Sequence, residues 1–377
     1  MATISIQRHG GPVGLVMFIG LALLANACNG ADEGRLTRIE LPAGFDIGVF
    51  APSVPGARSM TLGDEGTVFV GSRGAGNVYA LQDRDGDGRS DAQVRLIEGA
   101  EKSPNGVAFV DGDLYVALID RIVRLADIES RLDEPPQPEP VTELPDYGHH
   151  GWRYLAAGPQ GALYVALGAP CNVCEEYGQL RRVDPATGEQ TIIARGVRNS
   201  VGFDWHPESG QLWFTDNGRD LLGDNRPPDE LNRLTTAGQH FGFPYCHGGD
   251  LPDPDYGNAG VCADYVPPIQ KLGPHVAALG MRFYDGDAFP ERYRGHIYIA
   301  EHGSWNRSER IGYRVMRVDP HAALAGEGDA YMPFASGWLL DNGDIWGRPV
   351  DVQVMPDGAL LVSDDYRGAI YRINATP

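Results

Sequence analysis

Short apolar strands, each set off by a turn glycine, recur along the chain. Six copies read Gly66-Thr-Val-Phe-Val, Gly112-Asp-Leu-Tyr-Val, Gly161-Ala-Leu-Tyr-Val, Gly210-Gln-Leu-Trp-Phe, Gly295-His-Ile-Tyr-Ile and Gly358-Ala-Leu-Leu-Val. Brief apolar runs bounded by glycine, and rich in β-branched and aromatic residues, read as buried strands. Most copies sit in a longer unit: strand, Pro/Asp/Gly turn, strand, polar loop, third strand. Asn77-Val-Tyr-Ala-Leu and Ala369-Ile-Tyr-Arg-Ile are examples of the third strand. Repeats of about 40–50 residues, each a small antiparallel sheet, are the signature of a β-propeller. The pattern predicts an all-β fold, a six-bladed β-propeller, with the six copies as second strands. The strand near Leu41, Asp46 and Val49, or the C-terminal strand, is expected to close the ring.

A propeller gathers loops from every blade around one channel. The inner strand descends from the top face and the second strand returns to it. Loops before the first strands and after the second strands therefore share that face. Residues before the first strands include Arg58, Asn105, His150, Arg198, Asn199, Arg282 and Arg348. Loops after the second strands carry Arg73, residues 171–176, residues 216–219, Glu301, His302, Trp305, Asn306, Arg307, Asp364 and Asp365. Arginines, a histidine and aromatics at a channel mouth suit an anionic small molecule. The competing reading is that some charges merely pair, Arg348 with Asp364 for example.

Composition narrows this further. The 377 residues suffice for one large propeller, and the 50 glycines and 28 prolines suit many tight turns. The formal net charge is −20 and clustered basic residues are absent, so nucleic acid is not an expected partner. Arg8 and His9 precede an apolar run from Val13 to Ala25, too short to span a membrane. Residues 1–27 therefore read as a signal peptide, 28–40 as a linker and 41–377 as the propeller domain. Ala25-Asn26-Ala27 is one cleavage site. The preferred alternative is a bacterial lipobox ending at Cys28, with Ala25 where Leu is usual. Either way the protein is expected to be exported, periplasmic or lipid-anchored to the bacterial envelope, with that lipid as its only membrane attachment.

Setting Cys28 aside leaves Cys171, Cys174, Cys246 and Cys262. An even number in an exported chain suggests disulfides, and their order suggests Cys171–Cys174 and Cys246–Cys262. A four-Cys metal site is the alternative. Asp83, Asp85, Asp87 and Asp91 alternate around glycine turns after the third strand of blade one, as in a calcium loop. Val94 stands where an EF-hand has its bidentate Glu, and the loop lies at the outer, lower end of its blade. It reads as a structural calcium site, against the plainer reading of a solvated acidic turn. Residues 133–140 read as a stiff connection between blades two and three, and 238–274 as a long insertion in blade four. A Gly-x-Ser-x-Gly elbow is absent, which weakens a serine-hydrolase reading.

Longer motifs carry a resemblance over most of the chain, from about Leu41 to Ile373. They are Ser103-Pro-Asn-Gly-Val-Ala-Phe109, Gly148-His-His-Gly-Trp-Arg153, Cys171-Asn-Val-Cys-Glu175, Val197-Arg-Asn199 and Phe214-Thr-Asp-Asn-Gly-Arg-Asp220. Further on come Phe241-Gly-Phe-Pro-Tyr-Cys-His-Gly248, Leu279-Gly-Met-Arg-Phe283, Glu301-His-Gly-Ser-Trp-Asn-Arg-Ser308 and Gly347-Arg-Pro-Val-Asp351. The chain resembles the soluble quinoprotein sugar dehydrogenases of the glucose/sorbosone dehydrogenase family, most of all the sorbosone branch. These use pyrroloquinoline quinone (PQQ) and calcium.

The resemblance implies roles. His150 would be the base, with His149 as the alternative, and Arg198 and Asn199 would stand beside the quinone. The backbone carbonyls of Gly218 and Arg219 would hold the cofactor calcium, and Arg348 would face the cofactor carboxylates. Some members carry another arginine where Val350 stands. A cofactor-gripping lysine has no plain equivalent, and Arg307 is the candidate, with Trp305 beside it. The implied substrate is an aldose or related sugar, and the implied partner an electron acceptor such as a cytochrome or quinone. Two rivals stand beside this: a calcium-dependent, lactonase-like propeller hydrolase and a non-catalytic binding propeller. The first would place several carboxylates on a channel metal, whereas this mouth is rich in His and Arg.

Overall fold

The structure is a computed structural model that describes residues 34–258 and 260–376. The proposed signal peptide and Cys28 lie outside the described residues. Six four-stranded antiparallel sheets surround a central channel, as the repeat predicts. Blade one is β2(Ala57–Leu62), β3(Val68–Ser72), β4(Val78–Gln82) and β5(Ala92–Ile97). Strand β1(Phe45–Ala51) precedes it and belongs elsewhere. Blade two is β6(Gly106–Val110), β7(Asp113–Ala117), β8(Arg121–Leu125) and β9(Glu139–Glu143). Blade three is β10(Leu155–Ala157), β11(Leu163–Leu167), β12(Gln179–Val183) and β13(Gln190–Arg195).

Blade four is β14(Phe203–Trp205), β15(Leu212–Asp216), β16(Pro228–Leu234) and, after an excursion, β20(Gln270–Pro274). The excursion carries β17(Gln239–His240), β18(Cys246–His247) and β19(Leu251–Pro252). Blade five is β21(Ala278–Phe283), β22(Ile297–Glu301), β23(Arg314–Val318) and β24(Tyr331–Ala335). Blade six is β25(Pro349–Val354), β26(Leu360–Asp364), β27(Ala369–Ala375) and β1, the N-terminal strand. That strand pairs antiparallel with β27, from Phe45↔Ala375 to Ala51↔Ile370, and closes the ring. The six glycine-led copies are β3, β7, β11, β15, β22 and β26, all second strands.

Second strands are buried along their whole length in blades one, two, four, five and six, because they are covered on both faces by neighbouring blades. That double burial explains their continuous apolar runs. Phe69 of blade one stacks on Phe109 of blade two at 5.8 Å, one of many interlocking contacts between blades. Arg282 departs from expectation. It lies near the far end of β21 and points into the channel, where it binds the carbonyl of Met60 (3.1 Å), the Tyr154 hydroxyl and Asp351. It ties blades one, three, five and six together and does not line the mouth.

Three boundaries shift. Leu36 is buried and Ile39 packs on the same core, while Glu40 bridges Ser336, so packing begins inside the expected 28–40 linker. The proline-rich stretch at 133–140 joins the third and fourth strands of blade two. Its Pro140 sits on the outer edge strand, where a missing N–H costs nothing. The insertion of blade four ends before Gln270, since β20 is the blade's own fourth strand. Inside it, β17 extends blade three by pairing parallel with β13.

Candidate active site at the channel mouth

Buried carboxylates at the ends of second strands pin the segments that approach the first strands. Asp216 accepts the backbone N–H groups of Arg198 (2.8 Å) and Asn199 (2.6 Å). Asp364 accepts that of Arg348 at 3.0 Å. Arg348 and Asp364 therefore meet through the backbone, and the Arg348 side chain remains for the cavity. Its guanidinium touches the carbonyls of His302 (3.2 Å) and Gly303 (3.5 Å).

A cavity of about 390 Å³ opens at the mouth of the channel. Blades one, three, four, five and six send side chains to it. Arg58, Arg73, His150, Arg198, Asn199, Trp305 and Arg348 line it, as the topology predicts, together with His149, Trp152, Asp220, Asp229, His275, His302 and Asn306. The indole of Trp305 is 72% exposed and forms its rim.

His150 sits in the left-handed backbone region, φ 50°, as do His275 and Ala277, which also line the cavity. Such strain at non-glycine residues clusters at functional sites. Nδ1 of His150 lies 2.8 Å from the Ala169 carbonyl. A carbonyl only accepts, so Nδ1 carries the proton and Nε2 keeps its lone pair. Burial first, then the charge of Arg198 and the His149 ring, pushes the His150 pKa from 6.5 to about 2. The imidazole is neutral, the form a proton acceptor needs. The His149 ring lies beside it, centroids 4.0 Å apart and planes tilted by 52°, but is exposed.

Arg198 is buried and all five of its N–H donors are engaged. Nε binds the Asn172 carbonyl (2.9 Å) and Nη2 binds Asn172 Oδ1 (2.9 Å) and Asp220 Oδ2 (3.0 Å). Nη1 binds the carbonyls of Gly218 (2.8 Å) and Asn217 (3.2 Å). One correction follows. Arg198 can act on a ligand through its charge but has no donor left to offer. The Gly218 carbonyl accepts this cationic donor on one of its two lone pairs, and the expected calcium ligands, the Gly218 and Arg219 carbonyls, keep acceptor capacity beside it. The Arg219 side chain turns away to Asp253 and Asp255.

Three arginines crowd the opposite wall. Arg58 binds Asn105 Oδ1 (3.0 Å) and Asp365 (2.9 Å). Arg73 lies on the face of Trp152 and makes no side-chain hydrogen bond among the described residues. Burial, then repulsion from Arg58 and later Arg348, lowers its pKa to about 10. Asp365 is the carboxylate they share. Burial opposes its ionisation, yet His302, Arg58 and Arg348 hold it well below the usual carboxylate range. Asp229 and Asp220 lie on the far side and are engaged. Asp229 accepts the N–H of Gly218 (2.8 Å) and of Ala278 (3.2 Å), and burial raises its pKa to about 7. Oδ1 of Asn306 is buried without a partner among the described residues.

Other expected residues lie elsewhere. Arg307 does not reach the cavity; it binds the Asp224 and Glu309 carbonyls on an adjoining groove. Both disulfides form, Cys171–Cys174 and Cys246–Cys262. Asp83, Asp85 and Asp91 bring carboxylate oxygens within 4.8 Å of one another, while Asp87 is not of that group and caps the Arg89 N–H. Sequence reading assigned no role to Trp152, His275 or Asn172. The first lay inside a quoted motif, but only the fold shows that it carries Arg73.

Fold and site define a six-bladed propeller enzyme-like scaffold with a cation-rich cavity at its channel mouth. The TrAA12-like family matches residues 39–376, and the chain belongs to that family. A protein of Borreliella burgdorferi is 33% identical over 359 residues, covering 91% of this chain and 92% of that one. The pyrroloquinoline quinone-dependent pyranose dehydrogenase of Coprinopsis cinerea is 34% identical over 134 residues, 31% of this chain and 18% of that protein. The solved holo form of the pyranose dehydrogenase PQQ domain from Coprinopsis cinerea superposes with a TM-score of 0.78 at 20% identity. It covers 89% of this chain and 97% of that one. At that identity the likeness is one of fold.

Proposed function

We propose that this protein is a PQQ-dependent sugar dehydrogenase that oxidises an aldose or related sugar of the sorbosone or glucose type. One observation carries the reading. Arg58, Arg73 and Arg348 face one cavity with Asp365 as their shared carboxylate, in a chain whose net charge is −20. Unbalanced, partly desolvated cations of this kind call for an anion, and PQQ is a tricarboxylate. The family kinship and the printed activity of the Coprinopsis cinerea relative support it.

When bound, the quinone supplies the hydride acceptor; the chain supplies position and charge. Arg348 and Arg73 would hold the cofactor carboxylates. His150 Nε2 takes the proton of the sugar hydroxyl, which its neutral form and fixed tautomer permit. The buried charge of Arg198 stabilises negative charge developing nearby. Trp305 offers an exposed aromatic face at the rim for a sugar ring. The carbonyls of Gly218 and Arg219 would hold a cofactor calcium, which would add positive charge beside the quinone. The partner that this reading calls for would be an electron acceptor such as a cytochrome or quinone. An exported, periplasmic or lipid-anchored location agrees with two disulfides in one domain. A lactonase-like reading finds less support, since Asp220 and Asp229 are already engaged.

The test is spectroscopic. PQQ is added to the purified protein with and without calcium, followed by glucose or sorbosone. Bleaching of the oxidised cofactor band on sugar addition is expected. Absence of PQQ binding under both conditions would overturn the proposal.

A further inference from the structure

Asn172 of blade three joins two site residues that flank the inner strands of blade four. It lies in the loop after β11 of blade three, between Cys171 and Cys174, whose disulfide closes the turn around it. Its carbonyl accepts from Arg198 Nε and its Oδ1 accepts from Arg198 Nη2, both at 2.9 Å. The same Oδ1 accepts the Asp220 N–H at 2.9 Å, and Nδ2 donates to the Asp220 carbonyl at 3.2 Å. Asp220 in turn binds Arg198 at 3.0 Å and Asn306 at 2.8 Å. Four hydrogen bonds from one side of one residue therefore fix a buried cation and the loop that faces it.

We propose that Asn172, held by the disulfide-closed turn, is the positioning residue that sets Arg198 and Asp220 at the cavity. The physical reason is the cost of a buried guanidinium with unfilled donors. Two of the five donors of Arg198 end on Asn172, and a charged donor left unpaired in the interior finds another partner or another position. A long arginine side chain alone has too many rotamers to stay put. The disulfide matters because one of the two acceptors is a backbone carbonyl. That carbonyl stays in place only while the turn does. Asn172 does not line the cavity, so its effect on a ligand passes through Arg198 and Asp220.

The consequence for the proposed activity rests on the PQQ reading; the hub itself does not. The experiment is a double-mutant cycle of wild type, Asn172→Ala, Arg198→Gln and the double variant, read in two ways. The first readout is the urea midpoint of the apo-protein. The second is the PQQ dissociation constant from absorbance titration. Asn172→Ala is expected to weaken PQQ binding by about 10-fold, the equivalent of one hydrogen bond to a charged group. On the Arg198→Gln background it should change binding by less than about 2-fold, because it acts through Arg198. The apo-protein midpoints should be non-additive in the same sense. A Cys171→Ser/Cys174→Ser variant, which keeps Asn172 but opens the turn, should reproduce the loss in PQQ affinity.

Additive effects in both readouts would overturn the proposal, as would a Cys171→Ser/Cys174→Ser variant with wild-type affinity. If the wild type does not bind PQQ, the functional reading fails and the apo-protein cycle alone decides the role of Asn172. Where Arg198→Gln does not fold, Arg198→Lys takes its place, since an ammonium cannot span the acceptors of Asn172 and Gly218 together.

Discussion

Arg73 lies face-on over Trp152, its guanidinium carbon 3.3 Å from the ring centroid. The indole face holds the cation without using its N–H donors, which remain available to a ligand. Burial first, then repulsion from Arg58 and, behind an opposing Asp365, from Arg348, lowers its pKa to about 10, so its charge is held in an unfavourable setting. An anion in the cavity would relieve that field. Arg73→Ala is expected to weaken PQQ affinity by about 10- to 100-fold, the range of one or two charge-assisted hydrogen bonds. Arg73→Lys should recover only part of this, since it keeps the charge but not the planar stack. Equilibrium titration with PQQ checks both.

Proton transfer should depend on His150. His150→Ala is expected to leave cofactor binding nearly intact while sugar-driven cofactor reduction falls about 10²–10⁴-fold. His149→Ala, at the exposed neighbour, should be milder. Stopped-flow reduction by a saturating aldose measures each, and unchanged reduction in His150→Ala would remove the imidazole from the mechanism.

Acid stability should depend on His302. This buried imidazole binds Asp365 at 2.8 Å, and burial drives its pKa from 6.5 to about 4. In the unfolded chain it protonates near 6.5, while the folded form resists until about 4. The unfolded state therefore binds more protons in that window, and stability falls as pH drops through it. The loss is on the order of 3 kcal/mol. His302→Gln, which keeps an N–H for Asp365, should flatten the fall. Urea unfolding at pH 7 and near pH 4 would show it.

The acidic loop of blade one should bind calcium for stability rather than chemistry. Asp83 caps the N–H groups of Gly86 (2.8 Å) and Gly88 (2.9 Å), and Asp91 that of Arg84 (2.7 Å). The fold thus gathers three carboxylates that repel one another. Calcium is expected to raise the melting temperature, and Asp85→Ala to abolish that rise. A wild-type melting temperature indifferent to calcium and to chelator would leave the loop a hydrogen-bonded turn.

The Cys246–Cys262 bridge closes a loop of 16 residues within the blade-four insertion. Cys246→Ser/Cys262→Ser should cost about 3 kcal/mol, the usual effect for a loop of that length. PQQ affinity should hold, because residues of this insertion do not line the cavity. Denaturant titration and PQQ titration of the same variant separate the two effects.

Much of the site was legible because propeller topology assigns faces. The glycine before each second strand marks a turn, and counting from it places Arg58, His150, Arg198 and Arg348 near one mouth. Arg282 was misplaced because a first strand has no comparable glycine at its top, and register along it must be guessed. Its true position lies on the channel axis, bound to Met60 and Tyr154. Arg307 was misplaced because a cofactor-gripping cation was sought where the chain has none. Its guanidinium is held by the Asp224 carbonyl outside the cavity.

The sequence by itself determined the strands, the number of blades and the group of residues sent to one face, and it suggested the pairing of four cysteines that the structure shows. Those follow from local rules: turn glycines, period-limited apolar runs and cysteine order. Only the tertiary structure decided what each charged group does. Arg198 spends every donor on residues from two loops, while Arg73 keeps its donors by resting on Trp152. His150 is neutral because of burial and a neighbouring charge, not because of its position in the chain. Hydrogen-bond partners and protonation states are settled over a few ångströms, between segments far apart in sequence, and no local pattern encodes them.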